Sequence, residues 1–179
     1  LPKGSRVATG SSRRKLWLEQ AYPELSIVPI RGNVDTRIKK CKEGFCDAVM
    51  LSTAALIRLG RANEISQELE CSDCVPAPGQ GVVTIQALKE SSYLSLLSSI
   101  SDSSQETLSR LEFLFLKTIG LNCNYPLGLS ITKKKHTFNV ICKWASLTMN
   151  KLQTETLSVK LNDAESSMIK LANQIKQQL

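Results

Sequence analysis

The first sixty residues alternate between strand-like and helix-like segments, and no other feature of the sequence constrains the fold as strongly. RVAT, LSIVPI and CDAVMLS are short and mostly apolar, which is typical of buried strands. They are followed in turn by SSRRKLWLEQAY, NVDTRIKKCKEG and AALIRLG, whose composition favours helices. Strands that alternate with helices predict a parallel sheet with right-handed crossovers. We therefore expect an α/β unit in this half of the chain.

The second half has a different pattern. CVPAPGQGVVTIQAL predicts a hinge that leads into a strand at residues 82–88, and a serine-rich, solvated stretch follows. QETLSRLEFLFLKTIG predicts an amphipathic helix, and YPLGLSITKK, TFNVICKWASL and KLQTETLSVKL predict three strands. DAESSMIKLANQIKQQL predicts a last helix with Asp163 as its N-cap. We expect an α/β domain at residues 1–76, a hinge segment at 77–104, and an α+β domain with an antiparallel sheet at 105–179.

The composition favours a polyanionic partner. The chain carries 23 Lys and Arg against 16 Asp and Glu, a net charge of +7. We do not expect nucleic acid, because the basic residues are scattered apart from 133–135 and aromatics make up only 5%. No apolar run reaches membrane-spanning length and no signal pattern opens the chain, so we predict a cytoplasmic protein without a membrane partner. The start LPKGSRVATG, without methionine, suggests part of a longer protein.

The six cysteines do not indicate a disulfide framework, since the chain is basic and has no signal pattern. Cys71 and Cys74 have the spacing of half a zinc site, with Cys41 and Cys46 as conceivable partners. However, the chain has one histidine, and Cys41 and Cys46 occupy positions that suit small apolar fillers. We predict no metal site.

Two strand-to-helix turns, ATGSSRR and IRGNVDTR, place arginines in the opening turns of their helices. Neighbouring turns of a parallel sheet share one edge, where helix N-termini favour anions. Arginine's planar fork also suits carboxylates and phosphates. We therefore predict a pocket for a ligand with several acidic groups, formed by Ser11, Arg13, Arg14, Arg31 and Arg37.

The alternative is that these arginines form ordinary surface pairs with Asp35, Glu19 or Glu24. For a single arginine the surface pair is the better interpretation, whereas five groups at two matched turns favour the ligand. Asp35 lies inside the second helix, where we expect it to orient Arg31 or Arg37. Asp47 opens a buried strand, where we expect a structural role.

Cys123 forms a second candidate site. It lies in TIGLNCNYPLG, between a helix and a strand, next to residues that tolerate unusual backbone angles. A cysteine in such a loop suits chemistry as well as packing. From the residues alone both interpretations stay open, because no histidine or other base lies nearby in the sequence.

Several of these segments together resemble porphobilinogen deaminase, also called hydroxymethylbilane synthase. They are RVATGSSRR, IRGNVDTRIKK, CDAVMLSTAALIRLG and PAPGQG, followed by Cys123 before YPLG. Their order and spacing hold to about residue 128, and RGNVDTR with GQG is a specific combination. The resemblance covers the family's second and third domains. It implies a second domain that is periplasmic-binding-protein-like and incomplete, and it leaves the first domain without a counterpart.

The resemblance implies a transferase of tetrapyrrole and heme biosynthesis that joins four porphobilinogens into hydroxymethylbilane and releases ammonia. The growing polypyrrole stays attached to a dipyrromethane cofactor, which is linked to a cysteine that Cys123 matches. The family's catalytic aspartate belongs to the absent first domain, so the catalytic residue of this chain is unknown. The residues that match the family's groups for the cofactor and the substrate carboxylates are Ser11, Arg13, Arg14, Arg31, Arg37 and Gln80.

The sequence departs from the family at three places. Leu121-Asn122 replaces the usual glycine pair before the cysteine, Phe113 replaces the arginine after Glu112, and Gly10 replaces a serine. These departures bear on cofactor loading rather than on the fold. The competing hypotheses are a non-catalytic anion-binding module and a degenerate relative that keeps only the fold.

Overall fold

The first half of the chain has the predicted alternation of strands and helices. In a computed structural model, residues 1–121, 125–145 and 151–179 are described. The strands are short and each is followed by a helix. Their bounds are β1 Arg6–Thr9, α1 Ser12–Ala21, β2 Ser26–Pro29, α2 Val34–Lys42, β3 Ala48–Val49 and α3 Thr53–Arg58, with a 3-10 helix at Ala62–Glu64.

These strands form a parallel sheet with the order β2-β1-β3, which confirms the predicted α/β unit. Alternate residues of the central strand serve opposite faces of the sheet. Val7 packs with Trp17 and Leu18 of α1 on one face. Ala8 packs with Cys46 on the other face. The sheet is therefore covered on both sides, as parallel sheets require.

The predicted strand at residues 82–88 is wrong. This segment has no regular secondary structure, and the short helix α4, Leu94–Ser99, follows it. Its apolar side chains face solvent, with Val83 74%, Ile85 62% and Leu88 78% exposed. A strand needs a hydrogen-bonded neighbour, and no strand of the described residues lies beside this one.

The second half is the predicted α+β unit. Its elements are α5 Ser103–Ile119, β4 Leu127–Lys133, β5 Thr137–Ala145, β6 Leu152–Lys160, a 3-10 helix at Leu161–Asp163, and α6 Ala164–Lys176. The strands pair antiparallel in the order β4-β5-β6. Asp102 caps α5 by accepting from two backbone N–H groups. Asp163 occupies the predicted N-cap position of α6, but its side chain makes no capping bond.

The core of this half is one cluster in which α5 and α6 pack on a face of the antiparallel sheet. Phe115 of α5 and Ile175 of α6 are both fully buried in it. Leu129 and Val140 of the sheet are also fully buried in the cluster. This half therefore has the larger of the chain's described cores.

Residues 73–79, which we call the strap, join the two halves. Leu129 of β4 donates its N–H to the Pro76 carbonyl at 2.8 Å, so the strap runs beside the sheet edge. Lys143 Nζ donates to the Asp73 carbonyl at 2.8 Å, and Val75 is 2% exposed. Within the described ranges, no helix is long and apolar enough to cross a membrane.

Candidate functional site

The two predicted turns each hold a helix N-terminus open toward one edge of the sheet. Ser11 caps α1, and its hydroxyl accepts from the Arg14 N–H at 3.4 Å. Asn33 caps α2 and accepts from the Thr36 N–H at 2.8 Å. Gly32 has a φ of 121°, and a Cβ there would lie 2.7 Å from the Thr36 side chain. Only glycine fits this turn without strain.

The two turns touch each other at Gly10. A Cβ at this position would lie 2.7 Å from the Ile30 carbonyl oxygen and 3.9 Å from both terminal nitrogens of Arg37. Glycine therefore permits a close approach of the first turn to the second. This contact brings the Arg37 guanidinium beside the turn that carries Arg13 and Arg14.

Arg37 and Arg31 belong to the second turn. Arg37 Nε donates to the Gly32 carbonyl at 2.7 Å, which fixes the guanidinium and leaves its terminal nitrogens for other partners. Arg31 is exposed, and its carbonyl accepts from Lys40 Nζ at 3.3 Å.

Arg14 connects the first turn with the third strand. Its Nη1 donates to the carbonyl of Met50, the residue after β3, at 3.1 Å. Burial lowers the pKa of Arg14, and the positive charges of Arg13 and Arg37 lower it further. Arg14 thus lies close enough to both other guanidiniums to be repelled by them. We call Arg13, Arg14 and Arg37 the arginine cluster.

Arg13 is the buried member of the cluster, with 7% of its surface exposed. Its Nη1 donates to the Val75 carbonyl and lies 3.8 Å from Cys74 Sγ. Burial lowers the pKa of Arg13, whereas its interaction with Cys74 raises it. Arg13 therefore connects α1 to the strap and is the most buried residue of the arginine cluster.

The acidic residues proposed as surface partners lie elsewhere. Glu19 pairs with Lys15 at 3.8 Å, and Asp35 pairs with Arg61 at 3.0 Å. The expectation that Asp35 orients Arg31 or Arg37 is therefore wrong. Arg61, which follows α3, reaches the start of α2 and forms an ion pair with the Asp35 carboxylate. In the part of the chain that the structure describes, no carboxylate lies within 4.0 Å of the cluster or of Arg31.

Asp47 has the predicted structural role. Its Oδ2 accepts from the Arg6 backbone N–H at 2.7 Å, and its Oδ1 lies 3.7 Å from Arg6 Nη2. The hydrogen bond from the Arg6 backbone is the main reason that the pKa of Asp47 is lowered. This carboxylate holds the start of β1 and points to no chemistry.

Two further predicted residues stand apart from the cluster. Gln80 is exposed in a turn where its N–H donates to the Ala77 carbonyl at 3.2 Å, between two glycines of positive φ. Among the described residues, no hydrogen bond joins the Gln80 side chain to a member of the arginine cluster. Cys123 lies outside the described residues, so its predicted position is not part of this geometry.

The arrangement suits the binding of carboxylates rather than acid–base chemistry. An anion bound among the guanidiniums would offset the repulsion that Arg14 experiences, and no acidic side chain of the described ranges fills that role. No three His, Cys, Asp or Glu side chains there are grouped as a metal site requires. Sequence reasoning missed the carbonyls of Met50 and Val75, because a backbone acceptor leaves no residue-type signal.

The sequence is similar to known porphobilinogen deaminases. The family model described as porphobilinogen deaminase, dipyromethane cofactor binding domain, matches residues 1–95. The porphobilinogen deaminase of Roseiflexus sp. (strain RS-1) is 41% identical over 129 residues, which are 72% of this chain and 43% of the relative.

Two other relatives match almost the whole chain. The porphobilinogen deaminase of Caldicellulosiruptor saccharolyticus is 32% identical over 177 residues, 98% of this chain and 60% of the relative. That of Syntrophotalea carbinolica is 32% identical over 173 residues, 96% of this chain and 55% of the relative. The chain thus spans about half the length of the curated relatives that it matches.

Proposed function

Because the chain belongs to the porphobilinogen deaminase family, we propose that it is the cofactor- and substrate-holding part of a hydroxymethylbilane synthase. The reaction joins four porphobilinogens into hydroxymethylbilane, a transferase step of tetrapyrrole and heme biosynthesis. One observation carries the proposal: three guanidiniums converge at the strand ends without a carboxylate partner among the described residues. Pyrroles that bear acetate and propionate groups supply the anions that such a cluster favours.

The individual residues have distinct tasks in this proposal. Arg14 and Arg37 form two walls of the pocket, and exposed Arg31 extends it toward solvent. Arg13 contributes its positive charge while its Nη1 remains hydrogen-bonded to the Val75 carbonyl of the strap. Ser11 leaves the α1 N-terminus facing the same edge, where its dipole also favours carboxylates. Gln80, in the hinge, is the proposed contact for the substrate.

The cofactor of this proposal is dipyrromethane, linked through a thioether to Cys123. When bound, it supplies the pyrrole end to which the first substrate unit is added. The arginine cluster fits such a group, because its charges lack acidic partners among the described side chains and would be neutralised by the cofactor's carboxylates. This chain's own residues hold and orient those carboxylates.

We propose the same division of the chain as the sequence predicts. Residues 1–76 are the anion-binding part of a periplasmic-binding-protein-like domain, 77–104 are the hinge and the return toward the first domain, and 105–179 are the cofactor-attachment domain. The exposure of Val83, Ile85 and Leu88 supports the proposal that this segment packs against a further domain. The cytoplasmic location stays a prediction.

The 179 residues alone should bind porphobilinogen but not polymerise it. Carbon–carbon bond formation needs a group that stabilises the positive charge left as ammonia departs and that moves protons at the pyrrole nitrogens. Asp35 is paired with Arg61, and Asp47 holds β1, so neither serves this purpose. A carboxylate of the family's first domain is the proposed source.

An intact-mass measurement together with an activity assay tests this function. The chain is produced with the relatives' first domain in cells that make pyrrole intermediates. The proposal predicts a two-pyrrole mass adduct that is absent in Cys123→Ser and present in Cys71→Ser, a cysteine control. It also predicts uroporphyrin, after acid and light, only when the first domain is supplied. An unmodified Cys123 under these conditions would refute the cofactor assignment, and turnover by the 179 residues alone would show that the catalytic group is here.

A non-catalytic anion-binding module, or a degenerate relative that keeps only the fold, is the second candidate. It is favoured by two departures from the family, Leu121-Asn122 directly before Cys123 and Phe113 in α5. Such a module would bind carboxylated pyrroles through the arginine cluster without any adduct on Cys123. The same mass measurement therefore separates the two functions.

A further inference from the structure

Cys71 and Cys74 lie in a single helical turn that leads into the strap. The N–H groups of Asp73 and Cys74 both donate to the Glu70 carbonyl, each at 3.1 Å. In a helical turn, Cα atoms three residues apart are about 5 Å from each other. Disulfides join Cα atoms that are about 4.4–6.8 Å apart. The local backbone therefore suits a bond between these two sulfurs.

The pair also includes the most accessible of the described cysteines. Cys71 is exposed and Cys74 is half-buried, whereas Cys46 and Cys142 are buried. Burial raises the pKa of Cys46 to about 11 and also raises the pKa of Cys142. Because the thiolate is the reacting species, buried thiols with raised pKa values exchange slowly. Cys41 is half-buried, and its thiol donates to the Cys46 carbonyl at 3.5 Å.

The Cys74 sulfur contacts the arginine cluster. It lies 3.8 Å from Arg13 Nη1, the same nitrogen that donates to the neighbouring Val75 carbonyl. A change in the bonding of this sulfur is therefore transmitted directly to Arg13.

We propose that Cys71 and Cys74 form a reversible disulfide by exchange with a small-molecule disulfide such as oxidised glutathione, and that the Cys74 sulfur then leaves Arg13. The Cys71 thiolate attacks one glutathione sulfur, which forms a mixed disulfide and releases one glutathione. The Cys74 thiolate attacks the Cys71 sulfur and releases the second glutathione. The two protein thiols lose two protons and two electrons, and the glutathione disulfide gains the electrons. Formation of this bond does not depend on the proposed function.

The experiment treats the full 179-residue chain with oxidised glutathione, quenches with acid, alkylates the free thiols and digests with trypsin. Cys71 and Cys74 fall in the peptide of residues 62–89, which holds no other cysteine. In wild type we expect this peptide to lose two hydrogens and to regain them with dithiothreitol. In Cys74→Ser, glutathione should accumulate on Cys71. In Cys71→Ser, modification should be about tenfold slower, because Cys74 is half-buried.

The peptide of residues 43–58, which holds Cys46, is the internal control and should stay unmodified. Glutathione that remains on Cys71 in wild type, or a peptide 62–89 that stays reduced, would overturn the proposal. The link to Arg13 has its own readout, the NMR signal of the Arg13 Nε–H group in the reduced and oxidised protein. That signal should shift while the signal of Arg110 does not, and an unchanged Arg13 signal would refute the transmission.

Discussion

The two halves of this molecule differ in the size of the buried core that each contains. The α/β half has two small buried clusters, of three buried residues each, on the two faces of its sheet. The α+β half has one large cluster that draws on both of its long helices and all three strands. The arginine cluster lies entirely on the half with the thinner core.

This difference shows where the chain tolerates unpaired charge. The repulsion of Arg14 by Arg13 and Arg37 disfavours the folded α/β half, and the burial of Arg13 adds to that cost. The strap fastens this half to the well-packed one through Val75, Pro76 and Arg13. We infer that the α+β half stabilises the α/β half through the strap.

The largest effect is expected from the core of the α+β half. Leu171→Ala should cost about 2–5 kcal/mol of unfolding free energy, because Leu171 is buried in the main cluster. Ile169→Ala, an exposed position on the same helix, should change it by less than about 0.5 kcal/mol. Leu18→Ala, in the smaller cluster around Val7, should cost less than Leu171→Ala, about 2 kcal/mol at most, because a thin core collapses more easily.

Each half contains one buried tryptophan, so urea unfolding can be followed separately in each. Trp17 reports on the α/β half and Trp144 on the α+β half. Single-tryptophan versions of each variant give the two transitions. Equal losses for Leu171→Ala and Leu18→Ala in both reporters would break the comparison between the halves.

The next effect concerns the strap. A Cβ at Gly128 would lie 2.8 Å from the Val75 carbonyl oxygen and 3.0 Å from Val75 Cβ. Gly128→Ala should therefore push the strap off β4 and cost about 1–3 kcal/mol. We expect the Trp17 transition to move to lower urea than the Trp144 transition. Ser130→Ala, two residues along β4, is the control, and coincident transitions in Gly128→Ala would contradict the fastening role.

The smallest effect concerns the hinge and depends on pH. Glu112 accepts from the Gly79 N–H at 2.6 Å, and burial raises the pKa of its carboxyl. A raised folded-state pKa means that the stability contributed by Glu112 is fully present below its unfolded pKa of about 4.3 and is lost as the pH rises through the folded pKa. Glu112→Gln keeps an acceptor for Gly79 without the charge.

The stability of wild type relative to Glu112→Gln should therefore fall between acid and neutral pH, measured by urea unfolding across that range. Glu112→Leu, which leaves the Gly79 N–H without its acceptor, should be less stable than Glu112→Gln at every pH. A difference between wild type and Glu112→Gln that does not change with pH would contradict the raised pKa.

The sequence predicts the fold where short-range signals agree. Gly10 and Gly32 mark the two turns, Asn33 marks a helix start, and the strand and helix order follows from apolar periodicity. The antiparallel sheet follows equally well, because its strands lie consecutively in the chain. The strand predicted at residues 82–88 fails for the converse reason. Its residues favour a strand, but no partner strand is present among the described residues.

The site is predicted in its residue types and only partly in its contacts. That Arg14 and Arg37 share one sheet edge follows from the topology. Burial of Arg13 does not, because its acceptor, the Val75 carbonyl, lies 62 positions along the chain. The pairing of Asp35 with Arg61 is likewise a long-range contact, and the local sequence around either residue does not predict it.

Porphobilinogen binding to arginine variants, followed by titration calorimetry at low and high salt, tests the central claim most directly. Arg37→Leu and Arg31→Leu should each weaken binding about tenfold or more, since a charge-assisted hydrogen bond contributes roughly 1.5–3 kcal/mol. The loss should shrink at high salt, where the wild-type attraction is already screened. Arg110→Leu, which removes an arginine paired with Glu165 in the other half, should bind as wild type does. Wild-type affinity in both Arg37→Leu and Arg31→Leu would show that neither guanidinium binds the carboxylates of porphobilinogen and would contradict the account.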